Sequence, residues 1–152
     1  LRELVGFRAV WGQISEENNA INVGVDGLPI LYQSPEEIYW EWSAGVGNIF
    51  NAPLKSGIEV TEFLKIFENK ILKPIDKFKP EVILISAGFD AHTRDPLANI
   101  KLESTDYFKI TKKIVELANI HSKGRVISFF EGGYDLQALS ESAKEHLIAL
   151  KK

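Results

Sequence analysis

Residues 90–95, Asp-Ala-His-Thr-Arg-Asp, bring two carboxylates and an imidazole close together in the chain. Hard oxygens beside a ring nitrogen are the donors that hold Zn²⁺ or a similar divalent ion. Loops also use such residues for themselves. Asp90 and His92 can satisfy backbone amides, and Asp95 stands before Pro96, where it caps a turn. On spacing alone this local use is the commoner one. Farther on, residues 131–136, Glu-Gly-Gly-Tyr-Asp-Leu, place a phenol behind two glycines. Tyr134 there can donate a hydrogen bond to an oxyanion, and Gly132 and Gly133 let the backbone come close to a ligand. The plainer alternative is a half-buried tyrosine with its hydroxyl in water, and a glycine pair that merely relieves a turn.

Other chemistries find no footing in the residues. There is no Gly-x-Ser-x-Gly elbow and no glycine-rich phosphate loop ending in Lys-Ser or Lys-Thr. Ser86 ends an apolar run without a basic partner nearby in the sequence, and Gly-Val-Gly at 45–47 has the wrong spacing for a dinucleotide fingerprint. His121 closes a helix, where a partial positive charge suits the dipole. His146 is expected on the polar side of the last helix. Both read as structural.

The elements that must position Asp90, Asp95 and Tyr134 follow from periodicity. Val60, Phe63, Leu64, Phe67, Ile71, Ile75 and Phe78 recur at helical spacing, with Pro74 expected to kink that helix. Residues 81–87, Glu-Val-Ile-Leu-Ile-Ser-Ala, form a buried strand, and a loop follows. A second helix, capped by Ser104, carries Tyr107, Ile110, Ile114 and Leu117 on its apolar side. Lys123-Gly124 breaks it before a second buried strand over 125–131. Asp135 then caps a last helix with Leu139, Ala143, Leu147 and Leu150 along one side. Helices and strands alternating at short range predict an α/β fold, a parallel sheet flanked by helices. Ligands of such sheets lie beyond the carboxyl ends of the strands. Asp90, His92, Asp95 and Tyr134 all fall in loops at that edge.

The first 57 residues are less regular. Leu-Pro-Ile-Leu-Tyr-Gln at 28–33 is a candidate third strand, residues 15–27 read as loop, and the aromatic stretch at 36–42 is helical or irregular. We expect a single domain over residues 1–152, without repeats or linkers. The chain is 45% hydrophobic and 26% charged, enough for one core. A net charge of −3 gives no electrostatic case for nucleic acid or an anionic membrane surface. No apolar run approaches the ~20 residues of a membrane span, and no secretory signal opens the chain. The absence of cysteine suits a reducing cytoplasm.

The two linked segments KPEVILISAGFDAHTRDPLANIKL and RVISFFEGGYDLQALSESAKEHLIAL, with GNIFNAPLKSG upstream, resemble the histone deacetylase and acetylpolyamine amidohydrolase family over residues 45–150. The resemblance implies the C-terminal part of an arginase-deacetylase fold and a zinc ion held by two aspartates and a histidine. It also implies hydrolysis of an acetyl amide on lysine or a polyamine. Carried over, it makes Asp95 a zinc ligand, Leu102 a lining residue of the substrate tunnel, and Gly132 and Gly133 the tunnel floor. Tyr134 becomes the donor to the substrate carbonyl. Asp90 and His92 become structural loop residues. The family's His-His dyad and Asp-x-His ligand pair precede the matched region, and here the first histidine is His92, with no two adjacent. The chain also holds no methionine, even at its first residue. Together these features imply an incomplete deacetylase domain, inactive alone, whose partner is a missing N-terminal half. The alternative is an inactive deacetylase-like fragment or binding module. An unrelated nucleotide-binding α/β unit is disfavoured by the lack of a phosphate loop.

Overall fold

A computed structural model describes residues 9–15, 20–26, 49–97 and 99–151, with backbone alone for 9–15, 20–26, Ile49, Asn51 and Pro53. Five strands, β1 (Ala9–Ser15), β2 (Ala20–Asp26), β3 (Ile49–Pro53), β4 (Val82–Ala87) and β5 (Val126–Phe130), form one sheet in the order β3-β2-β1-β4-β5. The β1–β4 and β4–β5 pairs are parallel, as expected of an α/β fold. The β1–β2 and β2–β3 pairs are antiparallel and extend the sheet at one side. Strand β2 corrects the loop expected over 15–27: Ile21, Val23 and Val25 recur at every second position, the period of a strand. The candidate strand at 28–33 and the aromatic stretch at 36–42 lie outside the described residues.

The predicted helix over 58–78 forms as α1 (Val60–Ile66) and α2 (Lys73–Phe78), joined by a π-helical stretch (Phe67–Leu72). In it the Lys73 amide reaches back five residues to the Glu68 carbonyl. This widened turn falls just before Pro74, whose ring has no N–H and would crowd the carbonyl four residues earlier. Proline is thus accommodated by widening the turn. Phe63, Phe67, Ile71 and Ile75 of this rod enter the core.

Helix α3 (Ser104–His121) begins one residue earlier than predicted. Its cap is Glu103, which exchanges hydrogen bonds with Asp106 in a capping box, and Ser104 is its first residue. Helix α4 (Leu136–Leu150) is capped as expected, Asp135 accepting the Ala138 amide at 2.7 Å. A Lys113–Glu68 ion pair and a His121–Asp76 hydrogen bond tie α3 to the rod formed by α1, the π-helical stretch and α2. His146 of α4 hydrogen-bonds Thr111 on α3 and Ser128 on β5. That buried position corrects the polar-side placement expected for His146.

Strand register assigns the faces of the sheet. Ile83 and Ile85 pair with Val126 and Ser128, and the Ser128 hydroxyl bonds α4, so these positions face the helices, while Phe130 at the strand end is 65% exposed. Ile127 and Phe129 project from the opposite face and are 51% and 55% exposed. Among the described residues no helix is long and apolar enough to cross a membrane.

Candidate active site

The loops after β4 and β5 meet at the carboxyl ends of their strands. The Glu131 amide donates to the Ala87 carbonyl at 3.0 Å, and the Phe89 amide donates to the Gly132 carbonyl at 2.9 Å. Asp90, Asp95 and the 131–135 turn therefore lie side by side, as the sheet topology predicted.

Asp95 and Tyr134 are brought together through the backbone. The Tyr134 N–H donates to Asp95 Oδ2 at 2.7 Å, and the Leu97 N–H donates to Asp95 Oδ1 at 3.0 Å. Each oxygen of this buried carboxylate thus accepts one amide, and the carboxylate works as a clip between the loops. The Tyr134 residue itself is 56% exposed, with its backbone held and its phenol at the surface.

Asp90 differs. Its residue is only 8% exposed, and Oδ1 is buried without a hydrogen-bond partner. Buried carboxylate oxygens are nearly always satisfied, so this oxygen has an acceptor site to offer an ordered water or a ligand. Burial pushes its carboxyl up to about 6; the backbone amides of Asp90 and Ala91 oppose the rise, and the nearby Asp95 charge adds to it. Gly132 explains how the carboxylate fits: a Cβ there would stand 2.8 Å from Asp90 Oδ2. Gly133, at φ +140°, occupies a backbone region that side chains rarely adopt. Phe89 supports Asp90 from behind. Its carbonyl accepts the Tyr107 hydroxyl at 2.9 Å, and its ring packs edge-on against His146 at 5.7 Å. Burial, followed by the Asp90 charge, raises the Tyr107 phenol well above its usual range.

The residues read from sequence thus divide. Gly132, Gly133, Tyr134 and Asp95 lie together where the two loops meet. Leu102 is 0% exposed, in the core, bridged to His92 and hydrogen-bonded through its amide to the Ala91 carbonyl beside Asp90. Leu97, at 59%, is the exposed leucine of that loop. Asp90, read as a structural residue, is the carboxylate with a free oxygen, and that signal is absent from sequence spacing. His92 matches the structural reading, since both ring nitrogens are engaged, with the Arg94 amide and Ser104. Among the described residues no group of three His, Cys, Asp or Glu side chains could hold a metal ion. Asp90 fits as one donor, not as a complete site.

The chain matches the family Histone deacetylase domain over residues 31–150. It is 41% identical over 106 residues to histone deacetylase 14, chloroplastic, of Arabidopsis thaliana, covering 70% of this chain and 25% of that protein. Against the histone deacetylase-like amidohydrolase of Pseudomonas aeruginosa it is 31% identical over 116 residues, 76% of this chain and 30% of the other. The crystal structure of the HDA15 HD domain superposes with a TM-score of 0.58 at 28% identity, over 64% of this chain and 27% of that one. The chain therefore spans less than a third of each of these relatives. With two strand-end loops that meet around a buried aspartate and an anchored tyrosine, on a sheet that matches solved deacetylase domains, this chain belongs to the histone deacetylase family.

Proposed function

We propose that this chain supplies the second half of a zinc-dependent deacetylase site acting on acetyl amides of lysine or of a polyamine. One observation carries the reading: Asp90 keeps a carboxylate oxygen unpartnered in a buried crevice beside the Tyr134 loop. Asp90 would hold the metal beside Asp95, the ligand carried over by resemblance, whose oxygens each accept one amide and keep a second lone pair for the same ion. Zinc, when bound, polarises the amide carbonyl and lowers the pKa of a water. Tyr134 would donate its phenolic proton in a hydrogen bond to the carbonyl oxygen as negative charge develops there. Gly132 and Gly133 allow that approach without side chains in the way.

Base chemistry is not supplied by this chain. Its three histidines are committed elsewhere, His92 to Ser104 and Arg94, His121 to Asp76, and His146 to Thr111 and Ser128. Nor do two carboxylates make a zinc site, which ordinarily has three protein ligands. The partner in this reading is a complementary deacetylase segment that carries the remaining metal ligands and the base. A cysteine-free sequence is consistent with a cytoplasmic setting. The second reading, an inactive deacetylase-like binding module, is favoured by the exposed apolar pair Ile127 and Phe129.

Hydrolysis of an acetyl-lysine reporter, run beside zinc calorimetry, tests the proposal. The chain alone should give no turnover above buffer and should bind Zn²⁺ no tighter than roughly micromolar. Asp90→Asn should remove what binding remains. Turnover by the chain alone that survived this substitution would overturn it.

A further inference from the structure

The loop between β4 and α3 carries a closed ring of polar contacts that the proposed chemistry does not use. The Arg94 N–H donates to His92 Nδ1 at 3.1 Å, and His92 Nε2 lies 3.1 Å from Ser104 Oγ. The Ser104 hydroxyl donates to Glu141 Oε2 at 3.3 Å, and Arg94 Nη2 donates to the same oxygen at 2.6 Å, closing the ring. Gln137 donates to the other Glu141 oxygen at 3.0 Å.

Proton positions around this ring settle what it can do. Nδ1 of His92 accepts, so the ring proton sits on Nε2 and points to Ser104. A Ser-His nucleophile pair needs the opposite arrangement, a bare nitrogen facing the hydroxyl. His92 is moreover 1% exposed, closed off from any substrate. Hydrogen bonds from Gln137 and then Arg94 hold the Glu141 carboxyl below its ordinary value, so it is an anion opposite the guanidinium at neutral pH. The His92 Nε2–H and the Ser104 hydroxyl each have an acceptor, and the ring spans the loop, the first residue of α3 and the second turn of α4.

Because α4 starts two residues after Tyr134, fixing the loop to α4 also fixes it to the tyrosine turn. We infer that Arg94 and Glu141, closed through His92 and Ser104, form a positioning latch that holds the Asp90 loop in register with the Tyr134 loop. This rests on Asp90 and Tyr134 as the facing pair of the proposed site. Two further links join the same loops, Phe89 N–H to Gly132 and Tyr134 N–H to Asp95, and the latch guards both from opening.

Amide hydrogen exchange on the full chain reads the latch without any activity. In Arg94→Ala the Tyr134 and Phe89 amides should exchange roughly five-fold faster, while amides in the middle of α3 keep their rates. The charge swap Arg94→Glu with Glu141→Arg should return both amides toward their original rates. Where Arg94→Ala fails to fold, Glu141→Gln keeps the shape and removes the charge, and the same local acceleration is expected. Unchanged exchange at Tyr134, uniform acceleration through α3, or a swap that restores nothing would overturn the latch. Acetyl-lysine turnover and zinc binding bear on Asp90 and Tyr134 instead, so the two readings fail separately.

Discussion

A buried carboxylate with a spare oxygen is a cost that the fold carries at one position. Asp90 is held at about 6, above its ordinary 3.8, first by desolvation. The sign of the consequence is fixed: the folded state binds the proton more tightly than the unfolded state. Stability from this residue is therefore full below about 3.8 and lost as the pH rises through about 6. Asp90→Asn should stabilise the metal-free chain by about 1–2 kcal/mol at pH 8, after allowance for solvent screening, and by little at pH 4. Urea unfolding at the two pH values checks it. A substitution that stabilises while removing metal affinity is the mark of a functional group. Spacing alone did not distinguish Asp90 from Asp95, because both are loop aspartates before small or turn-forming residues; the resemblance made Asp95 the ligand and Asp90 structural. What separates them is the Tyr134 amide, 39 residues away, which hydrogen-bonds Asp95, while Asp90 Oδ1 has no partner among the described residues. The two leucines present the same difficulty: Leu97 and Leu102 have equal hydropathy, and only pairing beside His92 buries the second.

At the scale of elements, periodicity located the helices and both parallel strands of the site. It failed where small residues interrupt the pattern. Gly12, Gly24 and Asn22 obscure the alternation of β1 and β2, so backbone pairing decides what hydropathy leaves open. Helix α4 shows a rotation that periodicity misjudged. The expected apolar side included Leu147, yet Leu147 is 57% exposed, while Ala138, Ser142, His146 and Ala149 are buried. Short side chains along that stripe let α4 lie close to α3, and close packing outweighs the burial of one leucine. His146 is the large residue in the stripe, and burial lowers its imidazole below the ordinary 6.5. Its contribution is present above about 6.5 and lost as the pH falls below it, since the unfolded chain then takes up the proton first. Thermal unfolding of wild type should decline on acidification through that range, and His146→Gln should flatten this decline while lowering stability at pH 8.

For the whole molecule, β5 stands at the sheet edge, and among the described residues its Ile127 and Phe129 are exposed apolar side chains. Parallel strands are ordinarily covered on both faces, and an apolar edge strand recruits others. We expect the isolated chain to self-associate at micromolar concentration, and Ile127→Lys with Phe129→Lys to yield monomers in sedimentation. An unchanged distribution would place the association elsewhere.

The clip between the two loops grips Tyr134 by its main chain, leaving the aromatic ring out of the scaffold. Whatever side chain stands at 134 inherits the same seat. The reagent presented to a substrate can therefore be exchanged, by evolution or by design, without rebuilding the mount that carries it.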